Sequence, residues 1–210
     1  MKKFKQTKLN KQKILISAKK HIVFDGWSKK IIESISLDLR IKENEIYKIF
    51  PQGYLDILKF YFKETEKNMI KETKNKINLI SLRTHERIYE IILLRLKNNI
   101  NDQELIRKTL VFLSKPKHNR LGLKYLYKTV DNIWYLAGDN STNFNFYTKR
   151  IILASIYSAT VLYWLNDNSE NKINTNNFLL ARLKNTSIFS KVKDTLSSIF
   201  KNIPKNKFNL

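Results

Sequence analysis

The sequence predicts an all-α fold, and three observations predict it. Apolar residues recur three and four positions apart along most of the chain. Glycine and proline are scarce, 4 and 3 among 210 residues, too few for the many tight turns of a β-rich protein. Gly26, Pro51, Gly53, Pro116 and Gly138 fall between the periodic stretches, where helices must stop. A hydrophobic fraction of 42%, with 12 Phe, 10 Tyr and 3 Trp, supplies a real core and argues against general disorder.

The elements follow in order. Ile14, Leu15, Ala18 and Ile22 keep helical spacing, and FDGWS (Phe24 to Ser28) punctuates the end with Gly26. Ser28 is placed to cap a second helix, Lys29 to Leu39, with Ile31, Ile32, Ile35 and Leu39 inward. A third, Glu43 to Phe50, closes at Pro51, because proline disfavours helical geometry just before it. A long helix from Tyr54 to Asn75 carries Leu55, Leu58, Tyr61, Phe62 and Met69 on one face. Leu79 to Leu96, Asp102 to Ser114 and Leu121 to Ala137 continue the pattern, with Pro116 interrupting and Gly138 ending the last. Thr148 to Trp164 is the most apolar run. It is shorter than the ~20 residues that cross a bilayer and is flanked by Lys149, Arg150 and Asp167, so it reads as a core helix. Three segments are expected: 1–53, a three-helix unit; 54–170, a helical bundle; and 171–210, an amphipathic tail.

Much chemistry is absent from the pattern. With no cysteine, disulfides, thiolate zinc sites and Cys nucleophiles are excluded. No phosphate-binding glycine loop or GxSxG elbow occurs. His21, His85 and His118 stand far apart, and no Glu precedes a His by three, as carboxylate-bridged di-iron bundles require. The expectation is a non-enzyme without metal or cofactor. The basic start is broken by Lys19 and Lys20, so no secretory signal is expected and the chain is placed inside the cell. The formal charge of +22 invites a nucleic-acid reading. Its lysines are nonetheless spread along the whole chain among Asn and Ile, as a solvated, compositionally driven surface would have them.

Two regions are candidates for binding. The three-helix start resembles a helix-turn-helix unit and, with the long fourth helix, the layout of TetR regulators. The first turn of its third helix carries Glu43, Asn44 and Glu45, acids that would repel DNA phosphate at contact distance. At the other end, Ile188, Phe189, Val192, Leu196, Ile199 and Phe200 form one helical stripe beside Lys191, Lys193 and Lys201. Such a helix can lie in a membrane interface or cover the protein's own core.

The stretch IWYLAGDNSTNFNFYTKR (Ile133 to Arg150) gathers aromatics beside Gly138, Asp139 and a Lys-Arg pair. It lacks the acid-base pair of a catalytic loop and reads as a docking surface, with Trp134 inward. Together with FDGWS, the FPQG turn and IYSATVLYWLNDNS, it resembles the accessory protein family of ubiquinone (coenzyme Q) biosynthesis, the ninth Coq protein. The resemblance runs from about Ile14 to Phe178 and is most specific in the C-terminal half.

It implies a TetR-like fold, usually dimeric, without DNA-binding activity, that binds isoprenoid quinone intermediates or phospholipid. It also implies a partnership with the di-iron demethoxyubiquinone hydroxylase at a membrane surface, on the mitochondrial matrix face if the source is organellar. Carried over, the partner-facing patch falls on Asp139, Asn143, Phe146, Tyr147 and Arg150, where the family often has an acid at 143 and Trp at 146. A carrier of that kind needs an apolar cavity. Trp134, Tyr157, Thr160, Tyr163 and Trp164 are candidates to line it, with ordinary core packing as the alternative. A TetR-type transcriptional regulator is the competing function.

Overall fold

The computed structural model describes residues 2–76, 78–141 and 144–184. Among them the regular elements are helices: α1 (Lys2–Asp25), α2 (Lys30–Leu39), α3 (Glu43–Ile49), α4 (Tyr54–Lys76), α5 (Thr84–Asn98), α6 (Gln103–Ser114), α7 (Asn119–Leu136), α8 (Phe144–Asn166) and α9 (Ile173–Lys184). The all-α class holds, and the stops lie where the sequence puts them. Gly26, Gly53 and Gly138 all adopt positive φ, at 64°, 59° and 87°. The C-terminal stripe from Ile188 to Phe200 lies outside the described residues.

Packing divides the chain into two units. The first comprises Met1–Lys71 and Asn98–Tyr125. Its core joins Ile14, Leu15, Ala18 and Ile22 of α1 to Ile31, Ile32 and Ile35 of α2, and these to Ile57, Leu58 and Tyr61 of α4. Leu105, Phe112 and Leu113 of α6 close it. The buried Trp27 indole N–H donates to Thr109 Oγ1 at 2.9 Å, so the one polar atom of that side chain is satisfied inside the core. The second unit comprises Glu72–Lys97 and Leu126–Leu210. Its buried residues include Ile88, Ile91 and Ile92 of α5, Val130, Ile133 and Trp134 of α7, Ile152, Ile156 and Trp164 of α8, and Leu179 and Leu183 of α9.

The helix expected from Thr148 begins four residues earlier, at Phe144, and two other starts differ from expectation for local reasons. Ser28 does not cap α2: Lys29 occupies the cap position without a side-chain bond, and among the described residues nothing pairs with the buried Ser28 hydroxyl. The fifth helix begins at Thr84, not Leu79. The Glu86 carboxylate accepts the Arg83 backbone N–H at 2.7 Å, one arm of a capping box that fixes the first turn there. Ile80, assigned to that helix from its spacing, is instead 92% exposed in the turn before it.

Candidate functional site

The candidate docking surface is built on the α7–α8 hairpin. At the end of α7 the Asp139 N–H bonds to Trp134 O at 3.0 Å and the Gly138 N–H to Tyr135 O at 3.1 Å. This paired pattern ends a helix through a left-handed residue, and Gly138 supplies it. The chain is thereby turned so that the Asp139 carboxylate points back at α8.

That carboxylate is the centre of a clamp. It accepts Lys149 Nζ at 2.7 Å, a guanidinium nitrogen of Arg150 at 3.2 Å, and the Ser141 hydroxyl at 2.8 Å. Arg150 also donates through Nε to Asp131 at 2.6 Å and through Nη1 to the Phe146 carbonyl at 3.0 Å. Its guanidinium lies 3.2 Å from the Phe146 ring centroid. The Trp134 indole donates to the Lys149 carbonyl at 3.1 Å, tying α7 to α8 from the other side. Burial alone would raise the Asp139 pKa. The hydrogen bonds from Lys149, Ser141 and Arg150 outweigh it and hold the carboxyl below its ordinary range.

The expected patch is thus split. Asp139 and Arg150 side chains are only 3% and 5% exposed, so both charges are spent inside the protein. This corrects the expectation of an outward Arg150: Asp131 and Asp139 draw its guanidinium in. Phe146 is half-buried beneath it, while Tyr147 stands 60% exposed. Asn143 lies outside the described residues. Tyr135 on α7 and Ile151 on α8, which the sequence reading did not assign to the site, are exposed as well, at 74% and 48%. Ile151 follows Tyr147 by one helical turn, a spacing that could have revealed it.

Of the candidate lipid residues, Trp134 and Trp164 are buried. Tyr157, Thr160 and Trp164 share one stripe of α8, at positions i, i+3 and i+7. The Tyr157 hydroxyl accepts Arg95 Nε at 2.8 Å, while the Thr160 hydroxyl donates to its own helix at Ile156 O. Tyr163 lies off that stripe, 41% exposed, with its ring stacked on Phe178 at 4.6 Å. Arg95 was not foreseen. It falls among Ile88, Ile91, Ile92 and Leu96 on the buried face of α5, and that spacing was its signal.

Residues 120–190 match the family model for COQ9. The chain is 28% identical over 146 residues to the mitochondrial ubiquinone biosynthesis protein coq9 of Schizosaccharomyces pombe, covering 70% of this chain and 58% of that protein. It is 25% identical over 177 residues to the mitochondrial COQ9 of Homo sapiens, covering 81% and 55%. Against the Bos taurus protein the identity reaches 41% over 71 residues, 34% of this chain and 22% of that one. The chain therefore spans less than two thirds of the length of these relatives. Among solved structures, a TetR transcriptional regulator from Nitrosomonas europaea superposes with a TM-score of 0.68 at 20% identity, covering 82% of this chain and 95% of the other. Residues 120–190 are thus similar to the COQ9 family model, and the chain takes a TetR-like helical fold.

Proposed function

We propose that this protein is a non-catalytic lipid-binding accessory factor of ubiquinone biosynthesis, which binds isoprenoid quinone intermediates at a membrane and presents them to a di-iron hydroxylase. The observation that carries the reading is the match of the COQ9 domain to the stretch that builds the α7–α8 hairpin. The relatives' names place those proteins in ubiquinone biosynthesis and in mitochondria, which supports the pathway and an organelle-type compartment for this chain.

The chemistry fits. A polyprenyl quinone is nearly insoluble in water, so an enzyme that modifies its ring gains from a carrier that shelters the tail. The internally neutralised clamp leaves Tyr147 and Ile151, one turn apart on α8, and Tyr135 on α7 as exposed apolar and aromatic side chains on which the hydroxylase can dock. Tyr157 is the group suited to the ring: its oxygen accepts from Arg95, which leaves its own proton to donate to a quinone carbonyl. Thr160 has committed its proton to Ile156 O and can only accept.

The test is organic extraction of freshly purified protein followed by mass spectrometry. Co-purified isoprenoid lipid or phospholipid is the expected result. Protein free of lipid after purification from a membrane-rich lysate overturns the carrier reading.

A further inference from the structure

Among the large apolar side chains that the first unit leaves exposed, three sit on α1 and α2: Ile16 is 59% exposed, Phe24 81% and Leu37 73%. Single exposed apolar residues are ordinary. These three sit on two neighbouring helices, interleaved with lysines. On α1, Lys13, Ile16, Lys20 and Phe24 follow one another at intervals of three, four and four, a single exposed stripe.

The relation of α1 to α2 is fixed by Asp38. Its carboxylate accepts the Ser17 hydroxyl at 2.9 Å and meets His21 Nε2 at 2.9 Å, so α2 runs back along α1 with this cluster in the crease between them. At about 100° per residue, Phe24 and Lys20 lie roughly 60° and 100° round α1 from His21. Lys30 and Leu37 lie roughly 80° and 100° round α2 from Asp38, in the same sense. For two helices running in opposite directions, the same sense means the same side. Both stripes therefore share one face, with the His21–Asp38 pair in its middle. Glu33 lies on the α2 stripe between Lys30 and Leu37, at the angle Ile16 takes on α1, and Asp25 stands at the end of α1, so the three lysines share the face with acids.

We propose that this α1–α2 face is a membrane-contact surface, which seats Ile16, Phe24 and Leu37 at the acyl boundary of an anionic bilayer while Lys13, Lys20 and Lys30 meet lipid phosphates. Lys and Arg outnumber Asp and Glu more than twofold in this unit, which complements a negative surface. Nucleic acid would use the lysines and one ring, but isoleucine and leucine offer bases nothing to stack on. A lipid interface takes both kinds of side chain, with the lysine stems lying along the apolar boundary and their ammonium groups in the headgroup layer. The face is separate from the C-terminal stripe and from the lipid candidates on α8. Lipid extraction tests the carrier reading, so the two ideas fail separately.

The chain lacks cysteine, so a single dye can be placed on the full-length protein. Leu37→Cys carrying an environment-sensitive fluorophore is mixed with vesicles of phosphatidylcholine alone or with phosphatidylglycerol, and Glu45→Cys on α3 serves as the control. The expected result is a blue shift and protection from aqueous iodide at position 37 with the anionic vesicles, and no change at 45. In unlabelled protein, Phe24→Ser with Leu37→Ser should weaken vesicle binding roughly tenfold or more. Lys13→Glu, Lys20→Glu and Lys30→Glu together should weaken it roughly a hundredfold. Both variants should keep the wild-type helix content and melting temperature, because these positions are exposed. Vesicle binding with the dye at 37 still in water, binding unchanged by the serine pair, or no vesicle binding at all each overturns the proposal.

Discussion

The Asp139 side chain is almost cut off from water, yet it stays charged because its partners are fixed around it. Three side chains from two segments converge on the carboxylate, and one of them, Arg150, is itself buried. Removing the acid leaves Arg150 with Asp131 and leaves Lys149 beside it without a counter-charge. Asp139→Ala should therefore cost about 2–3 kcal/mol, since hydrogen bonds to charged groups are the strong ones and Lys149 is partly solvated. For a chain of this size that lowers the melting temperature by roughly 5–10 °C. The folded pKa lies below the unfolded value, so the contribution is complete above the ordinary carboxylate pKa of about 3.9. It is lost as pH falls through the lower folded value. Denaturant titrations should thus show a constant gap between wild type and variant near neutrality, narrowing only in strong acid. A gap that closes between neutral pH and mildly acidic pH would mean that the clamp does not hold the carboxylate charged.

At the scale of elements, α7 and α8 are held by this clamp and by the Trp134–Lys149 bond, so the rings that project from them can be removed without loosening the hairpin. Tyr135 is 74% exposed and Tyr147 60%. Tyr135→Ala with Tyr147→Ala should weaken hydroxylase binding, measured by titration calorimetry, by roughly tenfold or more, and leave the melting temperature within a degree or two. Unchanged affinity would move the docking surface elsewhere, and a large loss of stability would mark the two rings as packed. Tyr147 was legible beforehand, because helical spacing and Gly138 locate α7 and its end and leave an aromatic, basic stretch after it; Tyr135 was not, because nothing in its spacing separates it from the packed end of α7. What stayed hidden depends on partners distant in sequence. Arg150 reads as exposed until Asp131 is known to lie one helix away. The start of α9 is set by Asp167, eight residues before Thr175, whose backbone N–H and hydroxyl it accepts at 2.8 and 2.6 Å. Ser169 bonds to the other oxygen, and together these contacts overcome burial and hold the Asp167 carboxyl well below its usual range. Nothing in the Asn-rich run before Phe178 announces a helix, because its stop and start are written in a side chain outside it.

For the whole molecule the question is what a formal charge of +22 does on a fold shared with transcriptional regulators. A superposition at 20% identity establishes architecture alone. A helix-turn-helix reader works through the first turn of its third helix, and α3 begins there with exposed Glu43 and Glu45. These acids suit the positive end of their own helix and oppose phosphate. Diffuse lysines still attract any polyanion by counterion release, without regard to its sequence. The expected outcome in a mobility-shift assay is weak binding, equal for unrelated duplexes. With three to five phosphates neutralised, it should fall by roughly fortyfold to five-hundredfold between 50 and 200 mM salt. Glu43→Gln with Glu45→Gln should strengthen that binding slightly without creating sequence preference, because relief of repulsion adds no contact to a base edge. Tight binding confined to one duplex at physiological salt would instead make the protein a regulator, and the lipid reading would fall with it.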